Sequence, residues 1–119
     1  MQLKITGDFI EKTAEKYGSD FKGAYAYSQS LFLMKTYIVL ANADEIIVAD
    51  LGLSGEVKSD MRYKYAQLGS FALKDALVSA TAVIKPNNDK KIKLTIPKKT
   101  IGITEYQSRL IELLKSKVK

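Results

Sequence analysis

The order of apolar and polar positions predicts a helix near each end of the chain, with short β-strands between them. In the N-terminal segment four residues recur at roughly helical spacing, namely Phe9, Ile10, Thr13 and Tyr17. This spacing predicts a short amphipathic helix over residues 8–17. Asp8 is expected as its N-cap, with Glu11 at the matching capping-box position, and Gly18 lies where the helix would stop.

The C-terminal segment, from TEYQ onward, predicts a second amphipathic helix with Thr104 as its N-cap. Gln107 follows three residues later, which is the spacing of a capping box. One apolar stripe runs along this helix and is formed by Ile103, Tyr106, Leu110, Leu113 and Leu114. Lysines crowd its C-terminal end, where the helix dipole favours positive charge: Lys115, Lys117 and Lys119.

The first half of the intervening region predicts a β-hairpin. Residues 18–24 read as a loop, and the aromatic-rich stretch over 25–35 contains no residue that breaks secondary structure. Residues 36–41 (TYIVLA) and 45–51 (EIIVADL) are rich in β-branched and aliphatic side chains. The NADE sequence between them favours a tight turn, so the two segments are expected to pair.

The second half of this region predicts further strands. Residues 61–68 (MRYKYAQL) alternate with period two until a glycine and a serine end them. Within 71–84 (FALKDALVSATAVI), the first half reads as a helical turn or a strand, and the second half reads as a strand. The turn signal PNND at 86–89 leads into the alternating segment 90–96, which predicts a hairpin. The total is about seven strands.

Composition restricts the chemistry that the chain can perform. The 119 residues fit one domain, 1–119, and the hydrophobic share of 46% supplies one continuous core. There is no cysteine or histidine, which excludes disulfides, thiol nucleophiles, imidazole bases and the common zinc sites. No cofactor and no metal are expected. The N-terminus lacks the apolar core of a secretory signal, and no apolar run would span a bilayer, so a soluble cytoplasmic protein is expected.

Positive charge is concentrated in the second half of the chain. Residues 1–59 hold six lysines and eight acids, whereas residues 60–119 hold eleven lysines, two arginines and five acids. A candidate anion-binding patch for acidic lipid or nucleic acid is formed by Lys90, Lys91, Lys93, Lys98 and Lys99. The alternative is a solvated strand face, where lysine discourages edge-to-edge aggregation. The scarcity of arginine argues against nucleic acid as the partner.

No group of residues predicts a catalytic site. The adjacent carboxylates Asp44 and Glu45 lie in a predicted turn, which favours a solvated role over acid–base catalysis. Asp50 and Asp75 lie beside apolar runs, where a carboxylate that accepts backbone N–H bonds is the simpler interpretation. Aromatic residues that would line a peptide groove or pack in the core are Tyr25, Tyr27, Phe32 and Tyr37. No catalytic residue is assigned, and the chain is not expected to be an enzyme.

From about Thr36 to its end, the chain resembles the bacterial pleckstrin-homology-like (PH-like) domains. The matching stretches are YIVLANADEIIVADL, FALKDALVSATAVI, KKIKLTIPKK and EYQSRLIELLKS. In that family a strand pair with a tight turn precedes a third hairpin, and a C-terminal helix closes the barrel. The resemblance implies an α+β, mainly β fold: a PH-like barrel of about seven antiparallel strands in two nearly orthogonal sheets. A C-terminal helix would cap it, and the predicted N-terminal helix would be an addition.

The resemblance implies binding rather than one particular activity, because members of the family bind lipids, peptides or other proteins. Members that bind phosphoinositides carry several basic residues around the loop between the first two strands. That neighbourhood offers only Lys22 and Lys35 here, which argues against phosphoinositide recognition. We therefore expect a non-catalytic binding or scaffolding domain that takes part in protein–protein interaction or self-association. The alternative is peripheral binding to anionic membrane lipid through the basic second half.

Overall fold

A computed structural model describes residues 5–29, 34–52, 56–87 and 90–118. A 3-10 helix over Tyr65–Gln67 joins the fourth and fifth strands. The helices and strands, in chain order, are α1 (Gly7–Glu15), β1 (Lys22–Gln29), β2 (Met34–Ala41), β3 (Glu45–Leu51), β4 (Val57–Lys64), β5 (Leu68–Asp75), β6 (Ser79–Pro86), β7 (Ile92–Pro97) and α2 (Thr104–Lys115). The predicted mainly β class, with seven antiparallel strands and two terminal helices, is confirmed.

The seven strands form one antiparallel sheet in the order β4-β3-β2-β1-β7-β6-β5. Its two halves meet at β1 and β7, where the ladder contains, among the described residues, the single pair Tyr27 and Thr95. Within the described residues, the outer strands β4 and β5 do not pair with each other, so hydrogen bonds do not close the sheet into the expected barrel. This sheet with its C-terminal helix is compatible with a PH-like fold.

Both faces are covered over residues 37–41 of β2 and 46–49 of β3, which explains why these two stretches are continuously apolar. Alternate residues point to opposite faces of a strand. Side chains such as Val39 and Val48 join the inner core, which contains Phe71, Leu94 and Leu110. On the other face lies the outer core, formed by Ile10, Ala14, Ile38, Leu40, Ile47, Ala49, Leu51 and Ile103. The N-terminal helix therefore completes a second core.

The close approach of α1 to β1 and to α2 depends on two glycines. A Cβ atom added at Gly23 would lie 2.7 Å from Cγ2 of Ile10 and 3.0 Å from Cδ2 of Leu40. A Cβ atom at Gly7 would lie 2.7 Å from the ring of Tyr106 in α2. Since real Cβ atoms do not approach other atoms so closely, any larger residue would push α1 away from β1 or α2.

The starts of both helices differ from the capping predictions. The N-cap of α1 is Thr6, whose extended backbone lets its hydroxyl accept the N–H of Phe9 at 3.1 Å. Asp8, predicted as the cap, instead lies in the first turn, where it pairs with Lys12. The predicted capping box of α2 is also wrong: Ile103 is the N-cap and no side chain caps the helix.

The strand predicted over 61–68 begins and ends four residues earlier, as β4 over Val57–Lys64. Its alternation is confirmed up to Lys64, where β4 ends and the 3-10 helix begins. The predicted break at Gly69 is wrong, because β5 absorbs this residue in a register shift. The helical interpretation of 71–77 is also wrong: β5 continues to Asp75, and its pairing with β6 outweighs the local helix propensity.

Both predicted hairpins are confirmed. In the β2–β3 turn, Oδ1 of Asn42 accepts the backbone N–H groups of Asp44 at 2.9 Å and Glu45 at 2.8 Å. Strands β6 and β7 pair from Ser79 with Pro97 onward, although two turn residues between them, 88–89, lie outside the described residues. Strand β1 begins inside the segment that we predicted as a loop, because it pairs with β2 from Lys22 onward.

Candidate functional site

The five lysines of the predicted anion-binding patch lie along β7 and do not converge. Lys91 precedes the strand and Lys93 is exposed near its start, whereas Lys98 and Lys99 follow its end. Because a strand rises about 3.3 Å per residue, the segment from Lys91 to Lys99 spans roughly 26 Å. Lys90 belongs to the starting end as well. The patch is therefore divided between the two ends of the β6–β7 hairpin.

Asp75 neutralises part of the positive charge at the end of the patch that contains Lys98. Its carboxylate lies 2.5 Å from Nζ of Lys98 and 3.0 Å from Nζ of Lys115, which also pairs with Glu112 at 3.2 Å. Hydrogen bonds from the two ammonium groups lower the pKa of the Asp75 carboxyl. Hydrogen bonds with Asp75, and then with Glu112, raise the pKa of Lys115. Asp75 thus joins β5, the end of β7 and α2.

Two of the carboxylates considered for catalysis, Asp75 and Glu45, have structural partners. Glu45, on β3, forms an ion pair with Arg62 on β4. The guanidinium of Arg62 also lies 5.9 Å from the ring centre of Tyr17. Tyr17 donates its hydroxyl to Asp60 at 2.7 Å. Burial, followed by this hydrogen bond, raises the pKa of Tyr17 to about 12. These contacts connect Tyr17, just after α1, to β4, and β4 to β3.

A cleft of about 220 Å³ lies between α1 and α2. Of the polar residues that line it, Tyr106 donates its hydroxyl to Glu11 at 2.7 Å, and Arg109 pairs at 3.1 Å with Glu105, which lies outside the lining. In the described part of the chain, no three acidic, histidine or cysteine side chains are grouped as a metal site would need. The cleft brings together two helices rather than a set of unpaired reactive groups.

The aromatic residues have packing roles. Tyr65 is buried in the inner core with its ring 5.9 Å from that of Phe71, and Tyr37 is buried there too. Tyr25 and Tyr27 are half-buried, with ring centres 6.1 Å apart. Phe32 lies outside the described residues.

Two exposed loops carry apolar side chains that sequence reasoning missed. Leu77 and Val78 form the turn between β5 and β6, where 92% and 74% of their surfaces are exposed. Ile101, between β7 and α2, is fully exposed. These loops lie at the same end of the sheet, since the backbone N–H of Lys98 donates to the carbonyl of Val78 at 3.0 Å. In the alternating sequence VSATAVI, Val78 occupies the same side of the strand as the buried residues that follow it. The sequence therefore did not predict its exposure, which only the fold showed.

The two outer strands differ in their protection against further pairing. Strand β4 carries a charged, exposed residue at every second position: Lys58, Asp60, Arg62 and Lys64. Strand β5 has no charge from Gly69 to Leu73. Charged residues on outer strands discourage the addition of another strand. The edge of β5 is therefore the less protected of the two.

The fold and its surfaces define a small, antiparallel α+β domain of a kind compatible with PH-like architecture. Comparison with models of known protein families and with curated proteins gives no match. Within the described ranges, neither helix has the length and apolar character needed to cross a bilayer.

Proposed function

We propose that the chain is a cytoplasmic, PH-like, non-catalytic binding and scaffolding domain that associates with a second copy of itself through β5. The strand order and the C-terminal helix support the PH-like assignment. Tyr17, Asp75 and Lys115 each contact another element of the fold, which supports a structural use of these groups in a non-catalytic domain. The open, uncharged edge of β5 is the observation that carries the proposal.

Strand β5 occupies the end of the sheet, so over residues 69–73 one side of its backbone has no strand partner among the described residues. Backbone N–H and C=O groups on an outer strand are a template for adding another strand. The uncharged stretch from Gly69 to Leu73 leaves room for such a strand, whereas the charges on β4 oppose it.

A two-fold axis through Ala72 would make the edge complementary to itself. Antiparallel pairing about that point sets Phe71 opposite Leu73 of the second copy, and Ser70 opposite Lys74 of the second copy. Phe71 and Leu73 both face the inner core in each copy, so their pairing would extend the apolar interior across the junction. No two like charges are placed opposite each other.

Light scattering coupled to gel filtration tests this proposal. The wild-type chain is expected at twice its mass of 13.2 kDa, with dissociation on dilution. Ala72→Lys would place two lysines together at the two-fold axis and is expected to give a monomer. Ser59→Lys, a matched change at an exposed position on β4, is expected to leave the dimer intact. A wild-type chain that is monomeric at every concentration, or a dimer that survives Ala72→Lys, would overturn the proposal.

A further inference from the structure

We propose that the two exposed loops at the end of β5 and β7 form a membrane-contact tip that inserts into an anionic lipid surface. The tip consists of Leu77 and Val78 in the β5–β6 turn, Ile101 in the β7–α2 loop, and the flanking lysines Lys74 and Lys99. Lys74 also lies on β5, but the other residues of the tip are outside the pairing proposed about Ala72, so insertion of the apolar side chains does not depend on that pairing.

Backbone hydrogen bonds fix both loops in conformations that expose their apolar side chains to water. The N–H of Ala76 donates to the carbonyl of Ser79 at 2.9 Å and closes the β5–β6 turn. In the second loop, the N–H of Ile103 donates to the carbonyl of Thr100 at 3.0 Å, and the hydroxyl of Thr104 donates to the same carbonyl at 3.0 Å. The exposure of the apolar tip is therefore a fixed property of both loops.

Gly102 contributes to the second loop through its backbone. Its φ of +85° is accessible to glycine and strained for other residues. This conformation reverses the chain between Ile101, which faces water, and Ile103, which is buried in the outer core. Two isoleucines of the same loop thus have opposite environments, and only one contributes to packing.

Charge around the tip favours an anionic partner. Residues 74–78 and 97–103 contain three lysines and one acid, Asp75. Asp75 is occupied by Lys98 and Lys115. Lys74 and Lys99 are exposed and make no ion pair among the described residues. Lysines near an anionic membrane surface are attracted to it, while the apolar side chains they surround leave water for the acyl boundary.

The shape of the tip favours lipid over a protein partner. Leu77 and Ile101 are almost completely exposed, so each projects from the surface instead of lining a groove. A projecting side chain needs a matching pocket in a rigid protein, whereas a bilayer boundary deforms around it. We therefore infer that the binding partner of the tip is a lipid surface.

Only one end of the predicted lysine patch would reach the membrane. Lys99 lies at the tip, whereas Lys91 and Lys93 lie near the opposite end of the β6–β7 hairpin. When the tip inserts, the lysines at the far end would be held away from the lipid by most of a strand length, roughly 20 Å. At ordinary ionic strength this exceeds the distance over which exposed charges act, about 10 Å.

Sedimentation with lipid vesicles tests the proposal and separates the two groups of lysines. We expect the wild-type chain to bind vesicles that contain phosphatidylserine, to lose that binding at high salt, and not to bind phosphatidylcholine vesicles. Lys74→Ala/Lys99→Ala is expected to weaken binding about 25-fold, or about fivefold for each lysine. The control Lys91→Ala/Lys93→Ala is expected to change it less than twofold. Equal losses in the two double variants would overturn the assignment of the site.

The apolar part of the tip has its own control. Leu77→Ser/Ile101→Ser is expected to weaken binding by about tenfold or more, because less apolar surface leaves water on insertion. Met34→Ser changes an exposed apolar residue at the start of β2, away from the tip, and is expected to bind like the wild type. Unchanged binding of the double serine variant would exclude insertion.

A fluorescent reporter measures insertion directly. The chain contains no tryptophan, so Leu77→Trp provides a single reporter at the tip. Its emission is expected to shift to shorter wavelength with phosphatidylserine vesicles, whereas Met34→Trp emission should stay unchanged. The Ala72→Lys variant should still bind phosphatidylserine vesicles and not phosphatidylcholine vesicles, because Leu77, Val78 and Ile101 lie outside the paired part of β5. A dimer that dissociates on Leu77→Ser/Ile101→Ser would show that the tip packs against protein, and would overturn the lipid assignment.

Discussion

The side-chain amide of Gln107 hydrogen-bonds to the backbone of Tyr25 as a neighbouring strand would. Its Oε1 accepts the N–H of Tyr25 at 2.7 Å, and its Nε2 donates to the carbonyl of Tyr25 at 2.8 Å. The same Nε2 donates to the carbonyl of Pro97 at 2.9 Å. Gln107 is completely buried and bridges β1 to β7 near their single ladder pair. A helix side chain thus completes the junction between the two halves of the sheet.

Replacement of Gln107 should destabilise the protein strongly. Gln107→Leu fills much of the same space but leaves one backbone N–H and two carbonyls of the junction without their partner. We expect the free energy of unfolding, measured in urea, to fall by about 3 kcal/mol. Gln67→Leu, at an exposed position in the 3-10 helix, should change it by less than about 0.5 kcal/mol. Similar effects of the two changes would contradict the bridging role.

A methyl group at Gly23 should separate α1 from β1. We expect Gly23→Ala to lower the free energy of unfolding by about 2 kcal/mol, because its Cβ would overlap Ile10 and Leu40. The matched change Gly52→Ala meets no atom closer than 3.8 Å and should have little effect. Hydrogen exchange should show the lost protection mainly in α1; an equal loss across all strands would argue against local displacement.

Removal of one hydroxyl from the inner core should stabilise the protein. The hydroxyl of Tyr65 is buried and has no hydrogen-bond partner within the described residues. Burial raises the pKa of this phenol, since ionisation there is unfavourable. Tyr65→Phe keeps the ring and removes the unsatisfied group, so we expect thermal unfolding to show a gain of about 1 kcal/mol. Tyr106→Phe, which loses a hydrogen bond to Glu11, should give no gain.

The contacts of Asp75 should make stability depend on pH in the acid range. Its pKa is lowered below the ordinary value of 3.8 by Lys98 and Lys115. The contribution of its ion pairs is therefore fully present above that ordinary value and is lost as pH falls through the lower folded value. Asp75→Asn should be less stable than the wild type at neutral pH, and the difference should disappear in acid.

Salt and a second carboxylate provide the controls for this effect. Because Asp75 is at the surface, salt should reduce the difference between the wild type and Asp75→Asn. Glu56→Gln alters an exposed carboxylate that makes no ion pair among the described residues, so its stability should follow the wild type at each pH. A difference for Asp75→Asn that persists in acid would show that the carboxylate acts through packing instead of charge.

The sequence alone determined those parts of the fold that depend on nearby residues. The stripe through Leu110 and Leu114 marked α2, and the turn at Asn42 marked the β2–β3 hairpin. Period-two alternation placed Leu94 and Ile96 on the buried side of β7. Each of these signals is carried within a few consecutive residues, because helix and hairpin geometry are local. Such patterns show that a side chain is buried but do not identify what covers it.

Only the tertiary structure decided how distant segments meet. Gln107 has the spacing of a capping box, yet it bonds to Tyr25, which is 82 positions away in the chain. The exposure of Leu77 and Ile101, and the contact of Asp75 with Lys115, likewise depend on which loops and strands the fold places side by side. These relationships result from packing between distant elements, where shape and hydrogen-bond satisfaction of the whole domain outweigh local preference.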